Sequence, residues 1–125
     1  MNPYTVLLCD DALFMRTMLR GILTQAGYEV IAEAVNGRIA VEQYVATRPD
    51  IVFMDMVMPE LGGVDAVREI CAIDPNARIV MCSAMGQQQI VDEAVAAGAK
   101  GFITKPFTGS RVLEALKDLM EGAHR

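Results

Sequence analysis

The chain of 125 residues has no tryptophan, one histidine, three cysteines and few aromatic residues. Each scarcity excludes something. Cys9, Cys71 and Cys82 are odd in number and form no Cys-x-x-Cys pair. Two of them lie inside apolar runs, so they read as reduced packing residues rather than as a disulfide framework or a metal site. Basic residues are outnumbered, 11 against 16 acidic, and the net charge of −5 offers no basic stripe for nucleic acid. No apolar stretch reaches the roughly 18 residues of a membrane span. The N-terminus has neither a basic region nor a cleavage site. There is no linker rich in Pro, Gly or Ser, no low-complexity tract and no solenoid repeat. The expectation is one domain over residues 1–125, soluble and cytoplasmic, with neither a nucleic-acid nor a membrane partner. Its length suffices to bury a core without cross-links.

What the sequence does have is a repeated alternation. Ile51-Val52-Phe53-Met54-Asp55 is an apolar run ending on a carboxylate. Such a run reads as a central parallel strand covered on both faces. Pro59 and Gly62-Gly63 then break the chain into a loop. Tyr4–Cys9 is a β-prone run ending in Asp10-Asp11, and Tyr28–Ala34 reads as a second strand. Ile79–Cys82 is another buried strand, ending on Ser83, and Lys100–Thr104 holds a short last one before Lys105-Pro106-Phe107. Between them lie helical spacings. The first helix covers Leu13–Ala26, with Phe14, Met18 and Ile22 beside Met15, Leu19, Leu23 and Ala26 on the apolar rows. The second is capped by Asn36 and closed by Arg48-Pro49. The third carries Val64, Val67, Ile70 and Cys71. The fourth covers about Gln87–Ala97, with Ile90, Val91, Ala94 and Val95 inward. The last covers about Ser110–Met120, with Val112, Leu113, Leu116, Leu119 and Met120 apolar.

Five strand–helix repeats predict an α/β fold: a doubly wound parallel sheet with helices on both faces. Right-handed crossovers leave few arrangements, and the flavodoxin-like order 2-1-3-4-5 is preferred. That order brings Asp10, Asp11 and Asp55 to one crevice. At about 5 Å and an effective dielectric of about 20, each ionised pair costs roughly 3 kcal/mol. A hard divalent cation relieves such a cluster, and an all-oxygen site suits Mg²⁺ better than zinc. His124 lies in the expected tail, away from the crevice. Taken alone, one Asp after a strand is more often a helix cap. Ser83 and Lys105 end strands on the same edge, where a hydroxyl donor and a cation suit phosphoryl transfer to a carboxylate.

Asp10-Asp11, Asp55 with Met58-Pro59 and Gly62-Gly63, Ser83-Ala84 and Lys105-Pro106-Phe107 together resemble the receiver domain of two-component response regulators. The resemblance spans the whole chain, and Phe14-Met15-Arg16 inclines it toward the single-domain chemotaxis members. It implies that Asp55 accepts a phosphoryl group from a sensor histidine kinase. It implies Mg²⁺ held by Asp11, Asp55 and the backbone carbonyl of Val57, with Asp10 acting through water. Lys105 would contact the phosphoryl group, and Ser83 would bond to it in the active state. The Lys105–Pro106 bond is expected to be cis. Phe102 stands at the family's switch aromatic, without the hydroxyl that many members carry. Val57 and Met85 flank the expected path of the attacking water, and both are apolar, which implies slow hydrolysis. The implied protein is a switch rather than an enzyme acting on free substrates. Its output partner binds through helix 4, strand 5 and helix 5, a flagellar motor switch component being the one the likeness suggests.

Other readings are a receiver cut from a larger DNA-binding regulator, or a phosphorelay intermediate. A flavodoxin-like flavin protein would need a Gly-, Ser- and Thr-rich loop where Asp10-Asp11-Ala12-Leu13 stands. A metal-dependent hydrolase would need a general base that the sequence does not offer.

Overall fold

The structure is a computed structural model and describes residues 3–122, so His124 lies outside the described residues. Its elements alternate strictly: β1 (Thr5–Cys9), α1 (Leu13–Gln25), β2 (Glu29–Ala34), α2 (Gly37–Thr47), β3 (Ile51–Asp55), α3 (Gly63–Ile73), β4 (Ile79–Ser83), α4 (Gln88–Ala97), β5 (Gly101–Thr104) and α5 (Gly109–Gly122). The boundaries fall within one or two residues of those expected. All five strands are parallel, in the order β2-β1-β3-β4-β5.

Every residue of β3 and β4 is buried. Period-two alternation divides their side chains between two cores. Val6, Leu8, Phe53, Val80 and Ile103 pack against Leu19 and Leu23 of α1 and Val112 and Leu116 of α5. Leu7, Val52, Met54, Ile79 and Met81 pack against α2, α3 and α4 on the other face. β3 and β4 therefore spend both faces on burial, which is why each is an unbroken apolar run up to its last residue. Asn36 caps α2 as expected, its Oδ1 accepting from the Ile39 amide at 2.8 Å.

Four helix positions differ from expectation. Phe14, in the first turn of α1, is 74% exposed and Ala26, the C-cap just past it, is exposed, because both lie outside the stretch buried through Leu19 and Leu23. Val95 and Leu113 are also exposed. Each follows a fully buried residue, Ala94 or Val112, and stands about 100° round the helix from it, on the solvent side. The three cysteines are free, with Cys9 and Cys82 buried in the sheet. Burial pushes both thiols far above their ordinary range, which suits packing residues. No described helix is long and apolar enough to cross a membrane.

Candidate functional site

The site forms where the parallel strands end. Cys9 pairs with Met54, so Asp10 leaves β1 beside Asp55 on β3. Asp55 pairs with Cys82, which places Ser83 one residue further along the neighbouring strand. Ser83 in turn pairs with Thr104, and Lys105 follows. Four strands thus deliver the acids, the serine and the lysine to one edge, at the reversal in strand order.

Asp10, Asp11 and Asp55 each offer a carboxylate oxygen, and these oxygens lie within 4.8 Å of one another. Asp10 and Asp55 are buried and Asp11 is exposed. Lys105 Nζ bridges the two buried acids, at 2.8 Å from Asp10 Oδ2 and 3.1 Å from Asp55 Oδ1. One cation against three carboxylates leaves the cluster underneutralised. Burial, then the Asp10 charge, pushes Asp55 above the usual carboxylate range, with Lys105 opposing. Burial pulls Lys105 down, but its hydrogen bonds to Asp10 and Asp55 prevail and its pKa is raised. A hard, oxygen-only donor set with residual negative charge fits a magnesium ion.

Asp10 is the most constrained of the three. Its Oδ1 accepts from the Ala12 amide at 2.9 Å, its Oδ2 accepts from Lys105, and its amide donates to the Ala34 carbonyl at 3.0 Å. The bond to Ala12 closes an Asx turn ahead of α1 and is not a helix cap, since the N-cap of α1 is Ala12 and no side chain caps it. Asp55 offers Oδ1 to Lys105 and makes no other side-chain hydrogen bond among the described residues. No fully buried side-chain oxygen there lacks a partner, so Oδ2 reaches solvent.

Ser83 is buried, and its Oγ accepts from the Met85 amide at 3.0 Å, leaving its hydroxyl hydrogen available. Val57 and Met85, two residues past Asp55 and Ser83, are 77% and 52% exposed. Phe102 is half-buried on β5 and packs against the core under α3 and α4. The Lys105–Pro106 bond is cis.

Two features of the site escape a reading of the sequence. Arg16, on α1, donates from Nη1 to the Asp10 carbonyl and from Nε to Glu33 Oε1, both at 2.7 Å. Arg20 donates to the other oxygen of Glu33. These bonds, that of Arg20 foremost, hold Glu33 below the usual carboxylate range against its partial burial. The available signal was Arg16 and Arg20 four apart on one helix face. The second feature is close backbone approach. A Cβ on Gly63 would stand 2.2 Å from the Asp55 carbonyl oxygen, and one on Gly37 would stand 1.9 Å from that of Leu61. The loop between β3 and α3 is thereby pressed against Asp55 at one end and α2 at the other. Its Glu60 adopts a left-handed φ of 69°.

Comparison with known proteins converges on one family. The Response regulator receiver domain matches residues 6–117. The chain is 64% identical over 111 residues to a chemotaxis protein CheY of Thermotoga maritima, covering 89% of this chain and 92% of that one. It is 56% identical over 113 residues to a CheY of Bacillus subtilis, covering 90% and 94%. A CheX–CheY–BeF3–Mg²⁺ complex from Borrelia burgdorferi contains a structural neighbour with a TM-score of 0.92 and 36% identity, covering 94% of this chain and 90% of that one.

Proposed function

Because this chain belongs to the response regulator receiver domain family, we propose that it is a single receiver domain whose Asp55 accepts a phosphoryl group from a sensor histidine kinase. The observation that carries the proposal is the Asp10–Lys105–Asp55 bridge, in which one lysine holds Oδ1 of Asp55 while Oδ2 faces solvent. Asp55 Oδ2 is the nucleophile. Its attack forms an acyl phosphate as the P–N bond of the donor phosphohistidine breaks and the imidazole leaves. Lys105 remains beside the new group and pairs with a phosphoryl oxygen. The Ser83 hydroxyl donates to another.

Asp11, Asp55 and the Val57 carbonyl would hold Mg²⁺ directly, and Asp10 through water. Both oxygens of Asp10 already accept hydrogen bonds, which favours the indirect role. The bound ion would supply compensating positive charge for the carboxylates and the phosphoryl oxygens. The protein turns over only its own phosphoryl group, by transfer and hydrolysis, and acts as a switch.

The CheY likeness supports an output partner in chemotaxis. Phosphorylation shifts the chain toward a state that binds this partner through α4, β5 and α5, with Phe102 as the moving aromatic. A component of the flagellar motor switch is the partner this reading names.

Incubation with Mg²⁺ and acetyl phosphate, followed by intact mass measurement, tests the chemistry. One added phosphoryl group is expected, dependent on Mg²⁺ and absent from Asp55→Asn. An adduct that persists in that variant would overturn the assignment of Asp55.

A further inference from the structure

We infer that Arg16, oriented by Glu33, is a positioning residue that fixes the Asp10–Asp11 turn for cation binding. The inference rests on the reading of Asp10, Asp11 and Asp55 as a Mg²⁺ site.

Asp10 and Asp11 stand between β1 and α1, at the point where the chain turns from strand to helix. Their relation to Asp55 depends on the orientation of the peptide that joins them. That peptide's oxygen is the Asp10 carbonyl, and Arg16 Nη1 grips it at 2.7 Å. The guanidinium cannot swing away, because its Nε is bonded to Glu33 at 2.7 Å and its side chain is only 11% exposed. Glu33 is itself fixed. It sits on β2, paired with Leu8 of β1, and its second oxygen is taken by Arg20. The clamp therefore runs from the rigid sheet, through Glu33 and Arg16, to the one carbonyl that aims both acids. The rigid fork of Arg can serve two acceptors at once in a way the point charge of Lys cannot.

The sign of the effect separates positioning from mere charge. Arg16 is a cation near an acidic cluster. If it acted only through its charge, removing it would strengthen the binding of a divalent cation. If it positions the acids, removing it weakens binding despite the gain in negative potential. Partners that orient metal ligands are typically worth about tenfold or more in affinity.

The test is calorimetric titration of the folded protein with MgCl₂, for the parent, Arg16→Ala, Arg16→Lys, Glu33→Gln and Arg20→Ala. Arg16→Ala is expected to weaken Mg²⁺ by about tenfold. Arg16→Lys and Glu33→Gln should fall between it and the parent. Arg20→Ala loosens Glu33 but leaves the Arg16 bond to the Asp10 carbonyl in place, and should weaken affinity less than Arg16→Ala does. A metal-free readout accompanies these titrations. Hydrogen exchange of the Ala12 amide, which donates to Asp10, should quicken more in Arg16→Ala than in Arg20→Ala. Should Arg16→Ala fail to fold, Arg16→Lys and Glu33→Gln decide the question by the same two readouts. Unchanged or tighter Mg²⁺ binding in the Arg16 variants would overturn the inference and leave the site reading intact. A parent protein that binds no Mg²⁺ would overturn the site reading, and the inference with it.

Discussion

Asp55 is asked to be both buried and charged, and the surrounding residues only partly reconcile the two. Burial and Asp10 raise its pKa while Lys105 opposes them. An acid whose pKa rises on folding binds its proton more tightly in the native state. Its contribution to stability is then fully present below the unfolded pKa and is lost as pH rises through the folded one. In metal-free buffer, Asp55→Asn is therefore expected to be more stable than the parent at neutral pH, with the gap closing below the ordinary carboxylate range. Denaturant titrations across that range check it, and a variant less stable at neutral pH would show that the Lys105 attraction dominates. Val57 and Met85 pose a separate question at this scale. Both are apolar and exposed, so neither offers a group to orient an attacking water. Val57→Asn with Met85→Glu should shorten the lifetime of the aspartyl phosphate at least severalfold, followed as loss of the mass adduct. An unchanged lifetime would leave both positions without a kinetic role.

Elements matter because the loop between β3 and α3 must hold its shape. Gly63 sits where any side chain would collide with the Asp55 carbonyl and the Met56 backbone. Gly63→Ala should cost about 1–3 kcal/mol and slow phosphoryl acceptance. Gly21 provides the contrast. It lies within α1, and a Cβ added there would meet nothing within 4 Å. Gly21→Ala should therefore stabilise by about 0.5–1 kcal/mol and leave acceptance unchanged. Chemical denaturation and timed mass measurement read both variants. The contrast also marks what sequence conveys about elements. β3 and β4 were plain because strands buried on both faces must be continuously apolar. A glycine in a loop looks the same whether it makes a turn or admits a neighbour's backbone. Phe14 looked like core because apolar spacing does not say how far along its length a helix is covered.

For the molecule as a whole, the carboxylates and lysine were legible because each follows a strand, and parallel topology gathers such residues at one edge. The Arg16–Glu33 clamp was not, because its partners are 17 positions apart on different elements and ion pairs between elements have no distinctive spacing. The sheet also joins the site to the proposed output face. Ser83 pairs with Thr104, and Phe102 pairs with Met81 on the same strands. Movement of Ser83 toward a phosphoryl group would thus be felt at Phe102. With BeF3⁻ and Mg²⁺ bound in place of phosphate, hydrogen exchange in α4 is expected to differ from that of the free protein. Phe102→Ala should remove most of that difference while Asp55 still accepts phosphate. A full α4 response in the variant would dismiss Phe102 as the switch.

The bond between Lys105 and Asp10 spans 95 positions. During translation the acidic residues are made first, and the lysine that pairs with them is added only after all five strands. A nascent chain still short of β5 has carboxylates that repel one another and no cation to hold a phosphoryl group beside Asp55. On the proposed reading of the site, an Asp55 able to hold a phosphoryl group would be completed only when Lys105 joins it, late in synthesis.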